Sequence, residues 1–358
     1  MKLQQMRVRN FRNIKGTELT FAAPRIFLLG PNGQGKTNLL EAIGYVSALR
    51  AFRPGDNRTL IEEGQVEAAL GFQFEHEKLG AAEVLVRIRA RSKEVWLDGT
   101  PVRRLAEVIG RFPTVLFASD DIQLVRGGPA LRRRFLDLHL ASLESGYFVD
   151  LQAYHRALDA RNRLLKAAAG QSELAAFERE LAAAACRLVA RRRAGAARLA
   201  EFTRSLHAGL AAGGAAAEVI YVPDFDGEDE GAYLEQWERE RKRDLQVRFT
   251  QRGPHRDDLE LRVGGREAAL YASEGQQRAL VLALRFAQLR DVRARSGHLP
   301  LVLADDVLGE LDPERRVRFW EALDGDVQLF ATGTTPPEDQ RTAWDIVKVE
   351  GGVFRRGN

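Results

Sequence analysis

The chain lacks the features that are typical of secreted proteins, of membrane proteins and of proteins that recognise specific DNA sequences. Among its 358 residues there is one cysteine, Cys186, so an intramolecular disulfide framework is excluded. No stretch approaches the 18 or so uninterrupted apolar residues of a membrane span, and the first residues lack the apolar core of a signal peptide. Zinc-ligand spacings, a helix-turn-helix pattern and an RNP-like aromatic pattern are missing as well, which argues against sequence-specific DNA binding. We therefore expect a cytoplasmic protein without a membrane partner.

The charge balance is mildly basic. The formal net charge is +4, with no extended polycationic tail, which permits nucleic-acid binding but does not demand it. The length is enough for about two domains with a sizeable core.

A glycine-rich string predicts a phosphate-binding loop. The string GPNGQGKT fits the pattern G-x-x-x-x-G-K-T, with an apolar strand before it and helical apolar spacing after it. Glycines let the backbone N–H groups approach phosphate oxygens, the lysine reaches the β- and γ-phosphates, and the threonine hydroxyl can ligate Mg²⁺. The predicted nucleotide-binding residues here are Gly30, Pro31, Asn32, Gly33, Gln34, Gly35, Lys36, Thr37 and Asn38.

A second string, LVLADD, predicts a buried strand that ends in two acids, Asp305 and Asp306. A carboxylate at the carboxyl end of a parallel strand faces the crevice where ligands bind. With the phosphate loop present, we expect Asp305 to hold Mg²⁺ together with Thr37. The predicted catalytic residues are Asp306, which would polarise the attacking water, and Lys36, which would contact the phosphates. An apolar strand ending in acids is common by itself, so this interpretation depends on the loop.

A third string places Ser273 at the start of a helix. Ser273 followed by Gln276 fits a capping box, which any helix start can have. The functional alternative is a second anion site at the helix N-terminus, made from Ser273, Gly275 and Gln276.

The order of these three strings resembles that of the ATP-binding-cassette ATPases, and within them the branch that contains the SMC heads. The resemblance implies an α/β fold: an ABC-type P-loop ATPase head, with a mixed sheet and helices, split by an inserted mainly α-helical domain. It also implies ATP and Mg²⁺ as cofactors. In that family the serine-glycine turn of one subunit contacts the γ-phosphate held by the other, so a homodimer that forms on ATP binding is expected.

Six further strings are VRNFRN from Val8, DDIQLVRGGP from Asp120, RRRFLD from Arg132, GPHRDD from Gly253, SEGQQR from Ser273 and DDVLGELD from Asp305. Taken together, they resemble the RecF family of bacterial recombination mediators. The resemblance implies a weak, DNA-stimulated ATPase that acts at single-strand gaps and duplex–single-strand junctions. It also implies that the protein promotes RecA loading with RecO and RecR, in DNA repair and replication restart.

The sequence departs from its relatives at three points. Asp306 stands where related ATPases often have glutamate, which predicts slow hydrolysis. The usual switch histidine is missing, so Thr332 or Thr334 would take that role. No clear glutamine loop is present, and the stretch from Ser119 to Gln123 is where we expect its equivalent.

Composition predicts a split domain: residues 1–128 and 217–358 form the ATPase head, and residues 129–216 form a helical insertion. The insertion is rich in Ala, Leu and Arg, and Gly170 to Ser172 would break it into two antiparallel helices. At about 40 residues each, they would reach about 60 Å. The pair Gly213-Gly214 would lead out of the insertion.

Two basic regions are candidates for DNA contact, namely Arg132-Arg133-Arg134 and His255-Arg256. A charge cluster on a helix is more often a solvated face, and the His-Arg pair can equally be a turn at a strand edge. The alternative functions are the ATPase subunit of a membrane transporter and a short SMC-like tether, and the predicted arms are short for a tether.

Overall fold

The computed structural model of the protein describes residues 1–53, 55–210, 215–227, 229–323, 325–337 and 343–356. The chain divides into two compact units: unit one comprises Met1–Asp121 and Gln288–Asn358, and unit two comprises Ile122–Ala287. Both chain ends therefore contribute to one unit, but the boundaries differ from the predicted ones, since unit two extends beyond residues 129–216 at both ends. The predicted exit at Gly213-Gly214 lies outside the described residues.

The N-terminal part of unit one is mostly strand. Its elements are β1 (Lys2–Phe11), β2 (Ile14–Thr20), β3 (Arg25–Leu29), α1 (Lys36–Ala48), β4 (Glu67–His76), β5 (Gly80–Arg89), β6 (Lys93–Leu97), β7 (Thr100–Pro101) and β8 (Thr114–Ala118). A 3₁₀ turn, Ser119–Ile122, follows β8.

Unit two combines long helices with a small sheet. Its elements are α2 (Gln123–Arg126), α3 (Pro129–Leu143), α4 (Ser145–Lys166), α5 (Gln171–Leu210), β9 (Ala217–Val222), α6 (Glu230–Val247), β10 (Asp258–Val263), β11 (Arg266–Glu267) and α7 (Ala268–Tyr271). Helix α8 (Glu274–Ser296) begins here and continues into unit one.

The C-terminal part of unit one completes its second sheet. Its elements are β12 (Leu301–Asp305), α9 (Val307–Glu310), α10 (Pro313–Ala322), β13 (Leu329–Gly333), β14 (Asp345–Glu350) and β15 (Val353–Arg356).

Unit one contains two sheets. An antiparallel sheet has the order β2-β1-β4-β5-β6-β7. The apolar side chains of β5 alternate into the core, whereas in β1 both Leu3 and Met6 are buried because the register shifts between Leu3 and Gln5. A one-residue bulge puts residues three apart on the same face.

The second sheet positions the site. Its order is β15-β14-β3-β13-β12-β8, and all neighbours pair in parallel except β14 with β15. The strand before the phosphate loop, β3, and the strand ending in acids, β12, are therefore separated only by β13. Their carboxyl ends meet at one edge of the sheet, which is where parallel sheets bind ligands.

The helices of unit two differ in part from the predicted pair. Helix α5 has 40 residues, which corresponds to about 60 Å, and it runs antiparallel to α4, as the ion pairs Arg161–Glu178 and Arg191–Asp150 require. A break lies close to the expected one, since α4 ends at Lys166 and α5 begins at Gln171, but Gln171 and Ser172 belong to the first turn of α5. The first arm, however, consists of two helices, because Glu144 adopts an extended conformation between α3 and α4.

In the part of the chain that the structure describes, no helix is both long enough and apolar enough to cross a membrane.

Candidate nucleotide site and signature turn

The loop between β3 and α1 needs its glycines for space and for conformation. A side chain at Gly30 would place its Cβ 2.2 Å from the carbonyl oxygen of Val349, and at Gly35 the φ angle is +111°. Gly33 has a φ of +77°, and, apart from its chain neighbours, no atom of the described residues lies within 4 Å of the position that a Cβ would occupy. The loop therefore adopts a turn that other residues rarely can, with open space beside Gly33 for an incoming group.

Lys36 is held at the start of α1. It is buried, and its Nζ donates hydrogen bonds to the carbonyl oxygens of Gly30 (2.7 Å) and Pro31 (3.0 Å). The ammonium thus lies over the loop itself, where the helix N-terminus adds further positive potential. This is the electrostatic environment that a phosphate requires.

Thr37 and Asp305 meet at the edge of the sheet although 268 positions separate them in the sequence. The Thr37 hydroxyl donates to Asp305 Oδ1 at 2.9 Å, and the Thr332 hydroxyl donates to the same oxygen at 2.9 Å. Burial raises the pKa of Asp305, while the two hydroxyl hydrogen bonds oppose that rise. A hydroxyl and a carboxylate are the hard oxygen ligands that Mg²⁺ prefers.

The structure distinguishes between the two switch candidates. Thr332, on β13, is 1% exposed, and its hydroxyl accepts a hydrogen bond from the Asp306 backbone N–H (2.8 Å) and lies 3.2 Å from Asp306 Oδ1. Thr334 is exposed to solvent. Asp306 itself has a φ of +54°, an uncommon value for a residue with a side chain, so its backbone is held in place by its surroundings. Thr332 therefore contacts both Asp305 and Asp306, whereas the side chain of Thr334 is exposed to solvent.

A buried ion-pair network behind the loop is not apparent from the sequence. Glu41, on α1, is fully buried and accepts hydrogen bonds from Arg12 Nε (2.6 Å) and Arg53 Nη2 (2.5 Å). The same Arg53 nitrogen also donates to Asn38, whose amide group donates to Asn13 at 2.8 Å. Asn38 was predicted to bind nucleotide, and here its side chain links the first turn of α1 to this network. The one signal in the sequence is a glutamate among the apolar residues of α1.

The segment expected to replace the glutamine loop starts beside Asp305. Strand β8 pairs with β12 so that Ala118 lies opposite Asp305, and the Ser119 hydroxyl donates to the Asp305 carbonyl oxygen at 3.4 Å. Asp121 stabilises this turn by accepting a hydrogen bond from the Ala118 N–H at 2.9 Å.

The capping box at the third string is confirmed. The Ser273 N–H donates to Gln276 Oε1 at 2.9 Å, and the Gln276 N–H donates to Ser273 Oγ at 3.3 Å. Ser273 is exposed at the N-terminus of α8. The anion-binding role of Ser273, Gly275 and Gln276 stays a prediction, and an exposed serine at a helix start is compatible with it.

Gln277, which sequence reasoning missed, fixes this turn. It is buried, and its amide group donates to the carbonyl oxygens of Ala268 and Ala272 at 3.0 and 3.1 Å. Its oxygen accepts from Arg126 Nε at 2.7 Å. Arg126 belongs to the DDIQLVRGGP string, so two of the strings noted in the sequence contact each other here.

The Arg132 to Arg134 cluster has hydrogen-bond partners within the fold, and its contact with DNA phosphates stays a prediction. Arg132 makes two hydrogen bonds of 2.8 Å with the Asp258 carboxylate and a third of 2.6 Å to the Gly127 carbonyl. Arg133 donates to the Asp257 carbonyl oxygen at 2.6 Å. Arg134 lies between buried and exposed, so none of the three is a fully exposed surface residue. Sequence spacing could not reveal partners more than a hundred residues away.

His255 is half-buried and both of its ring nitrogens have partners within the fold, and its contact with DNA stays a prediction. Its Nδ1 lies 2.7 Å from the Tyr154 hydroxyl and its Nε2 lies 3.1 Å from the Thr250 carbonyl oxygen. Burial lowers the pKa of His255 to about 4, so the ring is neutral at pH 7. Arg256 differs, because it is exposed and its guanidinium lies over the ring of Phe249 at 5.8 Å.

The GPHRDD string forms the centre of a buried ion-pair network in unit two. Arg192 is 2% exposed and donates to Asp257 Oδ2 (2.9 Å) and to the Pro254 carbonyl oxygen (2.6 Å). It also contacts Asp137, and Tyr221 donates to Asp257. The string therefore ties α3, α5 and β9 together, which is a structural role.

Comparison with known proteins identifies the family. The family described as "RecF/RecN/SMC N terminal domain" matches residues 2–338. The DNA replication and repair protein RecF of Symbiobacterium thermophilum is 37% identical over 344 residues, covering 93% of this chain and 92% of that protein. The chain belongs to the RecF family. RecF of Nostoc punctiforme is 35% identical over 348 residues and 93% of each chain.

Solved structures agree with this assignment. A structure of the recombination mediator protein RecF with ATP, described as part of the RecFOR pathway, superposes with a TM-score of 0.91 at 27% identity, covering 99% of this chain and 97% of that one. An Smc head bound to the C-terminal winged-helix domain of ScpA gives a TM-score of 0.55 at 16% identity, covering 100% of this chain and 97% of that one, which shows a shared fold. The predicted fold class, an ABC-type ATPase head with a helical insertion, is thus confirmed.

Proposed function

We propose that this RecF-family protein binds and hydrolyses ATP and acts as a recombination mediator in DNA repair. The observation that carries this proposal is the group formed by Thr37, Asp305 and Thr332 beside the glycine loop. Three separate segments supply these residues, and hydroxyl and carboxylate oxygens converge where a nucleotide's phosphates would lie. The RecF structures described with ATP support the same conclusion for relatives.

The residues present fit ATP and Mg²⁺. The glycine turn leaves open space beside Gly33, and Lys36 supplies a buried positive charge. Thr37 and Asp305 would hold the metal, which when bound would neutralise charge on the phosphate oxygens. Asp306 would accept a hydrogen bond from the attacking water, while Thr332 keeps its carboxylate and backbone oriented. Because aspartate is shorter than the glutamate common in related ATPases, slow turnover is expected.

An ATP-gated homodimer follows from the exposed serine turn. The chain has one phosphate loop and a second helix N-terminus, at Ser273, suited to an anion. In cassette ATPases the serine-glycine turn acts on the nucleotide of the other subunit. We therefore propose that Ser273, Gly275 and Gln276 contact the γ-phosphate bound by a second copy of this chain.

DNA is the proposed macromolecular partner. The family assignment favours DNA that contains single-strand gaps or duplex–single-strand junctions, and RecR, together with RecO and RecA, as proteins of the same pathway. The net charge of +4 is compatible with contacts to phosphates that do not read sequence.

The ATPase rate with and without DNA, measured at two salt concentrations, tests this proposal. Stimulation by DNA that fades as salt rises is expected, because contacts with DNA phosphates release counterions. An ATPase indifferent to DNA that co-purifies with a membrane protein would instead favour the transporter alternative. The SMC-like tether is disfavoured by arm length, since the longest helix in the described part of the chain has 40 residues.

A further inference from the structure

The end of α6 and the segment that joins it to β10 carry an unusual density of positive charge. Over the sequence KRDLQVRFTQRGPHR, several basic side chains are exposed to solvent; they are Lys242, Arg243, Arg248, Arg252 and Arg256. We refer to these five residues together with Phe249 as the basic tip. None of the motifs noted in the sequence includes its first four basic residues.

Most of this charge is not neutralised by the protein. Arg252 pairs with Asp224 at 3.0 Å. Within the described residues, the other four basic side chains of the tip make no ion pair. Among the acids of α6 close to the tip, Asp244 is buried and pairs with Arg161 at 2.7 Å and Glu238 lies 4.0 Å from Arg241, whereas Glu240 makes no ion pair in the described part of the chain. The tip therefore presents a net positive surface.

A buried network holds the backbone of the tip in place. Arg161 is fully buried and donates to Asp244 Oδ2 (2.7 Å) and to the Thr250 hydroxyl (2.8 Å). The Thr250 N–H and hydroxyl both donate to Asn162 Oδ1, at 2.8 and 2.7 Å. Because Asp244 and Thr250 lie on either side of Arg248, these hydrogen bonds hold the backbone that carries the exposed charge of Arg248. Such pre-organisation lowers the entropic cost of binding.

Helix α4 adds charge next to the tip. Its residue Asn162 contacts Thr250, so this part of α4 packs directly against the tip. Arg163 and Lys166 follow on the same helix, are exposed, and make no ion pair among the described residues. Lys166 is four residues after Asn162 and so lies one turn further along the same face of the helix.

The tip also contains a partly exposed aromatic ring. Phe249 is 38% exposed, and the Arg256 guanidinium lies 5.8 Å from its centroid. Arginine and aromatic side chains side by side provide a surface on which unstacked bases can pack, in addition to charges that contact the backbone.

From these observations, and resting on the proposed function, we propose that the basic tip and the end of α4 form a surface that binds the phosphate backbone of DNA, with Phe249 contacting unpaired bases. Charge complementarity selects this partner: six basic side chains of the tip and the end of α4 are exposed and make no ion pair among the described residues, and one of them, Arg256, lies over the ring of Phe249. Contacts of this kind do not depend on sequence.

Two double variants of the full-length protein test the proposal by fluorescence anisotropy with labelled duplex, single-stranded and gapped DNA. The test variant is Arg248→Ala with Arg256→Ala. The matched control is Arg7→Ala with Arg89→Ala, which removes the same charge from exposed arginines that already pair with glutamates. Each experiment is repeated at several salt concentrations, with Mg²⁺ and ATP present.

The test variant should bind all three DNAs about ten-fold more weakly or worse. The slope of log K against log salt should fall in magnitude by about two, because each lost phosphate contact removes about 0.9 from the slope for a duplex. The control should match the wild-type protein. A third variant, Phe249→Leu, should weaken single-stranded and gapped DNA binding by at least about five-fold and leave duplex binding unchanged. ATP affinity and the melting temperature should stay at wild-type values in all variants.

A wild-type slope in the test variant, or an equal loss in the control, would overturn the assignment of this surface while leaving the proposed function intact. A wild-type protein that binds none of the DNAs would overturn both. Binding of the wild-type protein to vesicles of anionic lipid but not to DNA would show that the tip recognises a membrane surface, and would equally refute the proposal.

Discussion

Replacing Thr332 with valine isolates the chemistry of one hydroxyl at the nucleotide site. Valine has nearly the same shape, so the buried position on β13 stays filled while the polar contacts are lost. The Asp306 N–H loses its acceptor at 2.8 Å, and Asp305 Oδ1 loses one of its two hydroxyl donors, at 2.9 Å. The pKa of Asp305, already raised by burial, should rise further, because the hydrogen bond from Thr332 is one of the interactions that lower it.

The size of the effect follows from these contacts. Leaving a buried N–H without a partner costs about 1–3 kcal/mol, and a hydrogen bond to a carboxylate contributes about 1.5–3 kcal/mol. We expect the free energy of unfolding to fall by about 2 kcal/mol. If the same contacts orient Asp306 during hydrolysis, kcat should fall by about 10- to 100-fold. Since protonated Asp305 cannot ligate Mg²⁺, activity should also be lost at a higher pH than in the wild-type protein.

Steady-state ATP hydrolysis from pH 5 to 8, with ATP affinity measured by calorimetry, checks this prediction. Thr332→Ser keeps the hydroxyl and should restore most of the rate, and Thr334→Val alters an exposed position and should behave as wild type. Hydrolysis at the wild-type rate by Thr332→Val, or an equal loss in Thr334→Val, would refute the assignment of Thr332.

Four further predictions concern single residues. Lys36→Met should abolish most ATP affinity in calorimetry without lowering the melting temperature, and unchanged binding would contradict the loop assignment. Asp306→Asn should retain ATP binding but lose most hydrolysis, and the ATP-bound dimer should last longer in sedimentation velocity; loss of binding as well would instead place Asp306 among the Mg²⁺ ligands. Ser273→Arg should bind ATP normally yet remain monomeric with a slowly hydrolysed ATP analogue that dimerises the wild-type protein, whereas normal dimerisation of this variant would rule out the gated dimer. His255, whose pKa is lowered to about 4 by burial, is protonated more readily in the unfolded chain (pKa about 6.5), so it stabilises the fold above pH 6.5 and loses that contribution as pH falls towards 4. Urea titrations should therefore show that His255→Gln loses about 2 kcal/mol less stability between pH 7 and 5 than the wild-type protein does, and equal losses would contradict this explanation.

Some features of the protein can be predicted from the sequence because they depend on residues that are close together in the chain. The glycine turn, the apolar strand ending in Asp305 and the capping box at Ser273 could be predicted because each depends on side chains and backbone within a few positions of one another. The family resemblance then indicated the ABC-type fold, which the comparisons confirm.

Other features depend on partners far apart in the sequence. Thr332 and Thr334 are equivalent candidates in the sequence, and only the pairing of β13 with its neighbours brings Thr332 to the acids. Arg132 belongs to a basic cluster by spacing, yet its guanidinium is bound by Asp258, 126 positions away. Nothing in the sequence distinguishes Gln277, and its hydrogen bond with Arg126 is seen only in the folded structure.

The sequence by itself therefore determined the phosphate loop, the paired acids and the serine turn, because each of them depends on the type and spacing of residues that are close together in the chain. The tertiary structure alone decided which basic residues are buried in ion pairs and which remain exposed. The charge of an arginine is the same in both cases, and only the fold determines whether a carboxylate, as for Arg161, or solvent, as for Arg248, surrounds it. The proposed DNA contacts of the basic tip depend on this distinction.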